Sequence, residues 1–179
     1  MRETPMGTFI TLATDAPSVF LRELDRLREA DRFLTLLAKN REHLRMLPRY
    51  GATPYPFVRD LGGAREYLAR MHESRDCYEF GIWKRDALAG MAGLDTTGGQ
   101  AQVYYWVGAE FRGEGLATRA VRTLVRFAHI RLGLEALEGT VRVGNVASEK
   151  VLERNRFKFL HSDGYASFYF CESCSWAAE

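Results

Sequence analysis

The chain has few cysteines, few prolines, little net charge and no long apolar run. Three cysteines, Cys77, Cys171 and Cys174, are too few for a disulfide framework. Cys171 and Cys174 form a lone C-x-x-C, short of the four ligands a structural zinc site takes. Two reduced thiols at a frayed C-terminus are expected; zinc shared across a dimer, or a redox role, is the alternative. A net charge of +2 makes no strong field, so neither nucleic acid nor a membrane surface is expected as a partner. No stretch of 18 apolar residues occurs, so no transmembrane helix is expected. Residues 1–14 lack a basic segment followed by an apolar core, so no secretory signal is expected. Together these absences favour a cytoplasmic protein.

What is present suits one domain. The chain has 179 residues, of which 46% are hydrophobic, enough for a real core. Residues 1–17 mix Thr, Pro and Gly without a period and read as an N-terminal tail. Residues 18–170 carry the periodic pattern, and 171–179 read as a C-terminal tail. A strand is expected over 19–24. Leu24, Leu27, Phe33, Leu34, Leu36 and Leu37 then recur at three- and four-residue spacing, the mark of a helix. Pro48, Gly51, Pro54 and Pro56 end it. Tyr50, Tyr55 and Phe57 in that loop suit either a pocket cover or core anchors. A second helix is expected over 63–72. Strands over 77–83, 87–94 and 102–107, joined by short turns, read as an antiparallel meander. A long amphipathic helix over 117–132 ends at Gly133, a natural C-cap. A strand to Val143, a helix over 147–155 and two closing strands, 157–160 and 165–171, complete the chain.

The most informative stretch is 105–118, Tyr-Trp-Val-Gly-Ala-Glu-Phe-Arg-Gly-Glu-Gly-Leu-Ala-Thr. A strand gives way to a turn with Gly108, Gly113 and Gly115, then to a helix start. The first N–H groups of a helix have no internal partner and carry the positive end of its dipole. Glycines let the main chain come close, so a pyrophosphate suits such a turn. A P-loop needs Gly-Lys-Ser/Thr, but Leu116 and Ala117 follow the last glycine. A dinucleotide fingerprint wants an acid at the end of the next strand, which reads Val141-Arg142-Val143.

Arg112, Gly115 and Ala117 do meet Arg/Gln-x-x-Gly-x-Gly/Ala. This stretch resembles the coenzyme A pyrophosphate loop of the GNAT N-acetyltransferases. Asn145, Ser148, Val151, Leu152 and Phe157 match the Asn-x-x-Ser, Val-Leu, Phe pattern of the branch resembling the ribosomal-protein N-terminal acetyltransferases, the RimJ/RimL type. Asn40-Arg-Glu-His-Leu44 resembles a segment that the same branch carries early in the chain, where it walls the acceptor site. On the residues alone, Arg41, His43 and Arg45 read as a solvated helical face.

The resemblance implies a GNAT fold of the α/β (α+β) class. Its mixed, mostly antiparallel sheet is splayed at an acyl-CoA cleft, with helices on both faces. It implies acetyl-CoA as co-substrate, no metal, and a primary amine as acceptor, either a protein N-terminus or a small molecule. The protein would be a monomer or a homodimer. Backbone groups of Trp106 and Val107 would pair with the pantetheine arm. Arg112, Gly113, Glu114, Gly115, Leu116, Ala117 and Thr118 would hold the pyrophosphate, and Asn145 would contact the cofactor. Ser148 takes the proton donor's place, although Asn145 as N-cap with Ser148 in the first turn is also ordinary helix chemistry. Gln102 stands where many relatives have an acid, and Leu160 replaces another. Gln cannot act as a base, which leaves Glu79, Asp95 and His161 open. Three functions remain: transfer to a protein α-amine, transfer to an aminoglycoside, polyamine or amino-sugar, and acyl-CoA sensing without catalysis.

Overall fold

The computed structural model describes residues 9–45, 55 and 58–172. Its elements follow the hydrophobic periods closely. Two strands, β1 (Thr11–Ala13) and β2 (Val19–Arg22), lead to helices α1 (Ala30–Leu44) and α2 (Leu61–Glu73). The meander is β3 (Cys77–Lys84), β4 (Ala87–Asp95) and β5 (Ala101–Val107). Then come α3 (Leu116–Leu132), β6 (Ala136–Arg142), α4 (Val146–Arg154), β7 (Lys158–Ser162) and β8 (Ala166–Glu172). Among the described residues these strands form one 8-stranded sheet, ordered β1-β2-β3-β4-β5-β6-β8-β7. Every neighbouring pair is antiparallel except β5 with β6.

Each face of the sheet buries its own helices. On one face Ala120, Val121, Leu124 and Val125 of α3 and Leu152 of α4 pack on Phe80, Ile82, Leu94 and Leu137. On the other, Phe33, Leu36 and Leu37 of α1 and Ala64 and Leu68 of α2 cover Trp83, Met91 and Trp106. This burial is what holds helices of such ordinary propensity in place.

Three boundaries differ from the sequence reading. Thr11–Ala13, expected in a tail, pairs with β2 as the sheet's edge. The first helix begins at Ala30 rather than near Leu24, and runs on through Asn40 to Leu44. The reason is local: the Asp25 carboxylate accepts the N–H groups of Leu27 and Arg28, at 2.7 and 3.1 Å, and so favours a turn there. Leu27 is left 71% exposed. Finally, Cys171 is not at a frayed end. It lies in β8, buried, while Cys174 falls outside the described residues.

Arg156, just past α4, has a φ of 63°. Left-handed backbone costs a residue with a side chain about 1 kcal/mol. Arg156→Gly is expected to raise stability by about 0.5 kcal/mol once glycine's greater unfolded-state freedom is subtracted. A lower melting temperature would show that the contacts of the arginine outweigh its strain.

Candidate active site

The site begins where two strands stop pairing. β5 and β6 run side by side only over Ala101–Val103 and Leu137–Gly139. Beyond that, β5 continues to Val107 bonded to β4 alone, and β6 continues to Arg142 bonded to β8 alone. The sheet therefore opens like a V. A cavity of about 550 Å³ occupies the gap, with Tyr105, Trp106 and Val107 of β5 along one side. A row of backbone N–H and C=O groups faces it without a strand partner, a costly arrangement unless something hydrogen-bonds there.

The turn after β5 forms the second wall. Gly113 and Gly115 have φ of 81° and 75°, a conformation natural to glycine. A Cβ on either would meet nothing within 4 Å, so the main chain is bare toward the cavity. Gly115 is the N-cap of α3, and no side chain caps that helix. Its first turn lines the cavity through Leu116, Ala117 and Thr118. The Thr118 hydroxyl oxygen is buried without a hydrogen-bond partner. Arg112, Lys150 and Arg154 add positive charge to the lining. Uncapped amides, an orphan hydroxyl and three cations fit the phosphates of a nucleotide.

The third wall is the start of α4. Asn145 Oδ1 accepts the Ser148 N–H at 3.2 Å, so Asn145 is the N-cap. Both residues line the cavity. The Tyr105 hydroxyl donates to the Ser148 carbonyl oxygen at 3.0 Å and ties β5 to α4. Burial pushes the Tyr105 phenol well above its ordinary range, and the bond to Ser148 only partly opposes this. Tyr105 therefore keeps its proton.

The fourth wall comes from α1. Asn40 is buried, and its Oδ1 accepts the Ala109 N–H at 2.9 Å. This bond fastens the end of α1 to the turn that leads into α3. One helical turn later, His43 is half-buried and lines the cavity, whereas the exposed Arg41 and Arg45 line a separate, smaller pocket, where Arg41 donates to the Val58 carbonyl oxygen at 3.5 Å. The solvated-face reading thus fails for His43, and it describes the exposure of Arg41 and Arg45 but not the second pocket that they line.

Several expected residues lie elsewhere. Glu114 is absent from the cavity lining; its carboxylate accepts from Lys84 Nζ. Gln102 sits at the paired root of the V, in register with Glu138, and also stays out of the lining. Glu79 is buried on the α2 side, where it accepts from the hydroxyls of Tyr55, at 3.0 Å, and Tyr67. Asp95 accepts the Thr97 N–H in a turn. His161 stacks on Phe168 at 4.6 Å, on β7. Of the loop aromatics, Tyr55 is a core anchor, and its hydroxyl accepts from Trp106 Nε1 at 3.1 Å. Tyr50 and Phe57 lie outside the described residues. No three His, Cys, Asp or Glu side chains cluster as metal ligands among the described residues. No helix among them is long and apolar enough to cross a membrane.

A family model described as an acetyltransferase (GNAT) domain matches residues 18–158. The chain belongs to the GNAT acetyltransferase family. This GNAT chain is 30% identical over 159 residues, 83% of each sequence, to YjcK of Bacillus subtilis (strain 168), named a probable N-acetyltransferase. It is 33% identical over 91 residues to YdaF of the same organism, provisionally named a ribosomal N-acetyltransferase. That match spans about half of each sequence, 49% of this one and 50% of YdaF. Among solved structures, RimL, a ribosomal L7/L12 α-N-protein acetyltransferase in complex with coenzyme A, superposes with a TM-score of 0.77 at 18% identity. The superposition covers 91% of this GNAT chain and 98% of RimL, and shows a shared fold.

Proposed function

We propose that this GNAT acetyltransferase moves the acetyl group of acetyl-CoA to a protein N-terminal α-amine. The observation that carries this reading is the V between β5 and β6, which ends on the bare glycine turn. The backbone groups of Val107, which point away from β4, take the place of a strand partner for the pantetheine amides, whereas those of Trp106, expected to share this role, point to β4, as the Gly108 N–H bond to the Ala89 carbonyl oxygen at 2.8 Å requires. The turn from Arg112 to Thr118 receives the pyrophosphate on helix-start N–H groups. Arg112, Lys150 and Arg154 supply charge around it. Asn145 holds the start of α4 against the arm, and Ser148 sits at the same helix start to give a proton to the leaving sulfur.

Two considerations favour an α-amine. RimL, which shares the fold, carries an α-N-protein acetyltransferase name. The cavity lining also contains no carboxylate among the described residues, so no carboxylate base stands ready. At pH 7.4 an α-amine with a pKa of about 7.8 is about a quarter neutral, whereas a lysine amine near 10.4 is about one part in a thousand neutral. That difference is about 3 kcal/mol, which a site without a carboxylate cannot readily supply.

Thiol release with a panel of amines tests the reading. Peptides with free α-amines should outpace both lysine side chains of N-blocked peptides and small-molecule amines. No thiol release with any amine would leave only a coenzyme-binding role. Ser148→Ala is expected to lower kcat about tenfold while acetyl-CoA affinity stays within about twofold, because help to the leaving sulfur exists mainly in the transition state. Wild-type turnover in that variant would reduce Ser148 to a helix-start residue.

A further inference from the structure

Transfer to an amine must dispose of one proton. The amine lone pair forms the new C–N bond, and the C–S electron pair leaves with sulfur. Sulfur takes a proton relayed through the Ser148 hydroxyl, which takes one from water in turn, and the nitrogen must lose one. Something in the cavity has to accept it. Among the described lining residues, Arg112, Lys150 and Arg154 are donors that suit the phosphates, and the Tyr105 hydroxyl donates to the Ser148 carbonyl oxygen. One side chain is left that exchanges a proton near neutral pH. Resting on the acetyl-transfer reading above, we propose that His43 is the base that takes the acceptor amine's proton.

The fold places this group on the side opposite the proposed proton donor. His43 belongs to α1, whose core covers one face of the sheet, whereas Ser148 belongs to α4, which packs with α3 on the other. The V passes through the sheet between them. A thioester arriving along α3 and α4 and an amine arriving along α1 would meet in the gap, with the donor behind the sulfur and the acceptor behind the nitrogen. The Asn40 bond to Ala109 fixes the distance of α1 from the cofactor turn.

The electrostatics suit a base. Burial and then the Arg112 guanidinium hold the His43 imidazole below an ordinary histidine, so it is neutral near pH 7. Among the described residues, the other charges that share its cavity or its end of α1 are Lys150 and Arg154, and Lys39, Arg41, Glu42 and Arg45. Lys39 is paired with Glu110 at 3.4 Å and Arg45 with Glu42 at 2.9 Å. A pyrophosphate on Arg112 would cancel the main repulsive charge. The affinity of His43 for a proton should then rise as the cofactor binds, and the base would strengthen only when there is acetyl to transfer.

Two measurements decide it. The first is the pH dependence of kcat/KM for an α-amine peptide at saturating acetyl-CoA. At the acid end, below the range of both groups, the wild-type profile should fall with slope two, one proton from the acceptor and one from His43. His43→Gln should lose about 100-fold in kcat/KM at neutral pH, keep its acetyl-CoA affinity, and fall with slope one. A variant that keeps slope two, or loses less than about threefold, overturns the assignment while leaving the acetyl-transfer reading intact; a wild type that acetylates no amine sinks that reading instead. The second needs no variant to fold. The His43 ring resonance of the wild type should titrate below an ordinary histidine and shift upward on adding coenzyme A. A resonance indifferent to coenzyme A would also overturn it.

Discussion

Gly115→Asp is expected to lower acetyl-CoA affinity at least tenfold while the protein stays folded. The substitution puts a carboxylate where the proposed site holds a pyrophosphate, against the same helix-start amides. A tenfold loss corresponds to about 1.4 kcal/mol, a modest demand for like charges in contact. The fold should tolerate the change for a reason visible in the backbone. Gly115 has a φ of 75°, a conformation that Asp adopts more readily than most residues, at a cost of about 1 kcal/mol. An acid at the N-terminus of α3 recovers roughly 0.3–1 kcal/mol through the helix dipole. Calorimetry against acetyl-CoA, with a thermal melt of the same sample, separates the two effects. Unchanged affinity would remove the phosphate from this turn, and with it the central claim of the proposed site.

Gly90→Ala is expected to act through the strand instead. Gly90 lies on β4 opposite Val107, and an added Cβ would come within 2.2 Å of the Trp106 carbonyl oxygen and 3.0 Å of Val107 Cα. Both are backbone atoms, so no side chain can swing aside. Either β4 or β5 must move, and overpacking of this kind costs about 2–3 kcal/mol. In a chain of this size that lowers Tm by roughly 5–10 °C. Because β5 forms one side of the V, acetyl-CoA affinity should fall as well. Gly98→Ala is the matched control: a Cβ there meets nothing within 4 Å. Equal Tm for the two variants would mean that the sheet yields at Gly90 far more easily than close packing allows.

The outline of the fold could be read in the sequence wherever one face of an element is buried. The period of α3 and the alternation of β6 are direct records of burial, and their expected ends fall within a residue or two of those observed. The glycine turn was equally legible, because positive φ at Gly113 and Gly115 needs a residue type that announces itself. What stayed hidden depends on contacts between distant segments. β1 has three residues, too few to show a period, and exists because β2 offers it an edge. The displaced start of α1 follows from where the Asp25 carboxylate bonds, not from hydrophobic spacing. Gln102 has the right strand and the wrong depth, since only pairing with Glu138 reveals that the V opens beyond it. His43 was visible within its motif, but its reach into the cavity depends on how α1 is fastened to Ala109, 69 positions away from Asn40.

The V also bears on selectivity toward chains in general. An unpaired strand edge invites any extended polypeptide to add to the sheet, and proteins usually blunt such edges with charge, bulges or a covering element. Here the open edge of β5 lies inside the molecule, between the root where β6 still pairs and the start of α4. A full β-strand carries side chains on both of its faces and would collide with those walls. A slender arm of two amides, branched only by two methyls and a hydroxyl at the pyrophosphate end, is a narrower occupant. On the proposed reading, the cofactor is a surrogate strand of the one shape the opening admits, and the protein keeps a sheet edge exposed without becoming a template for aggregation.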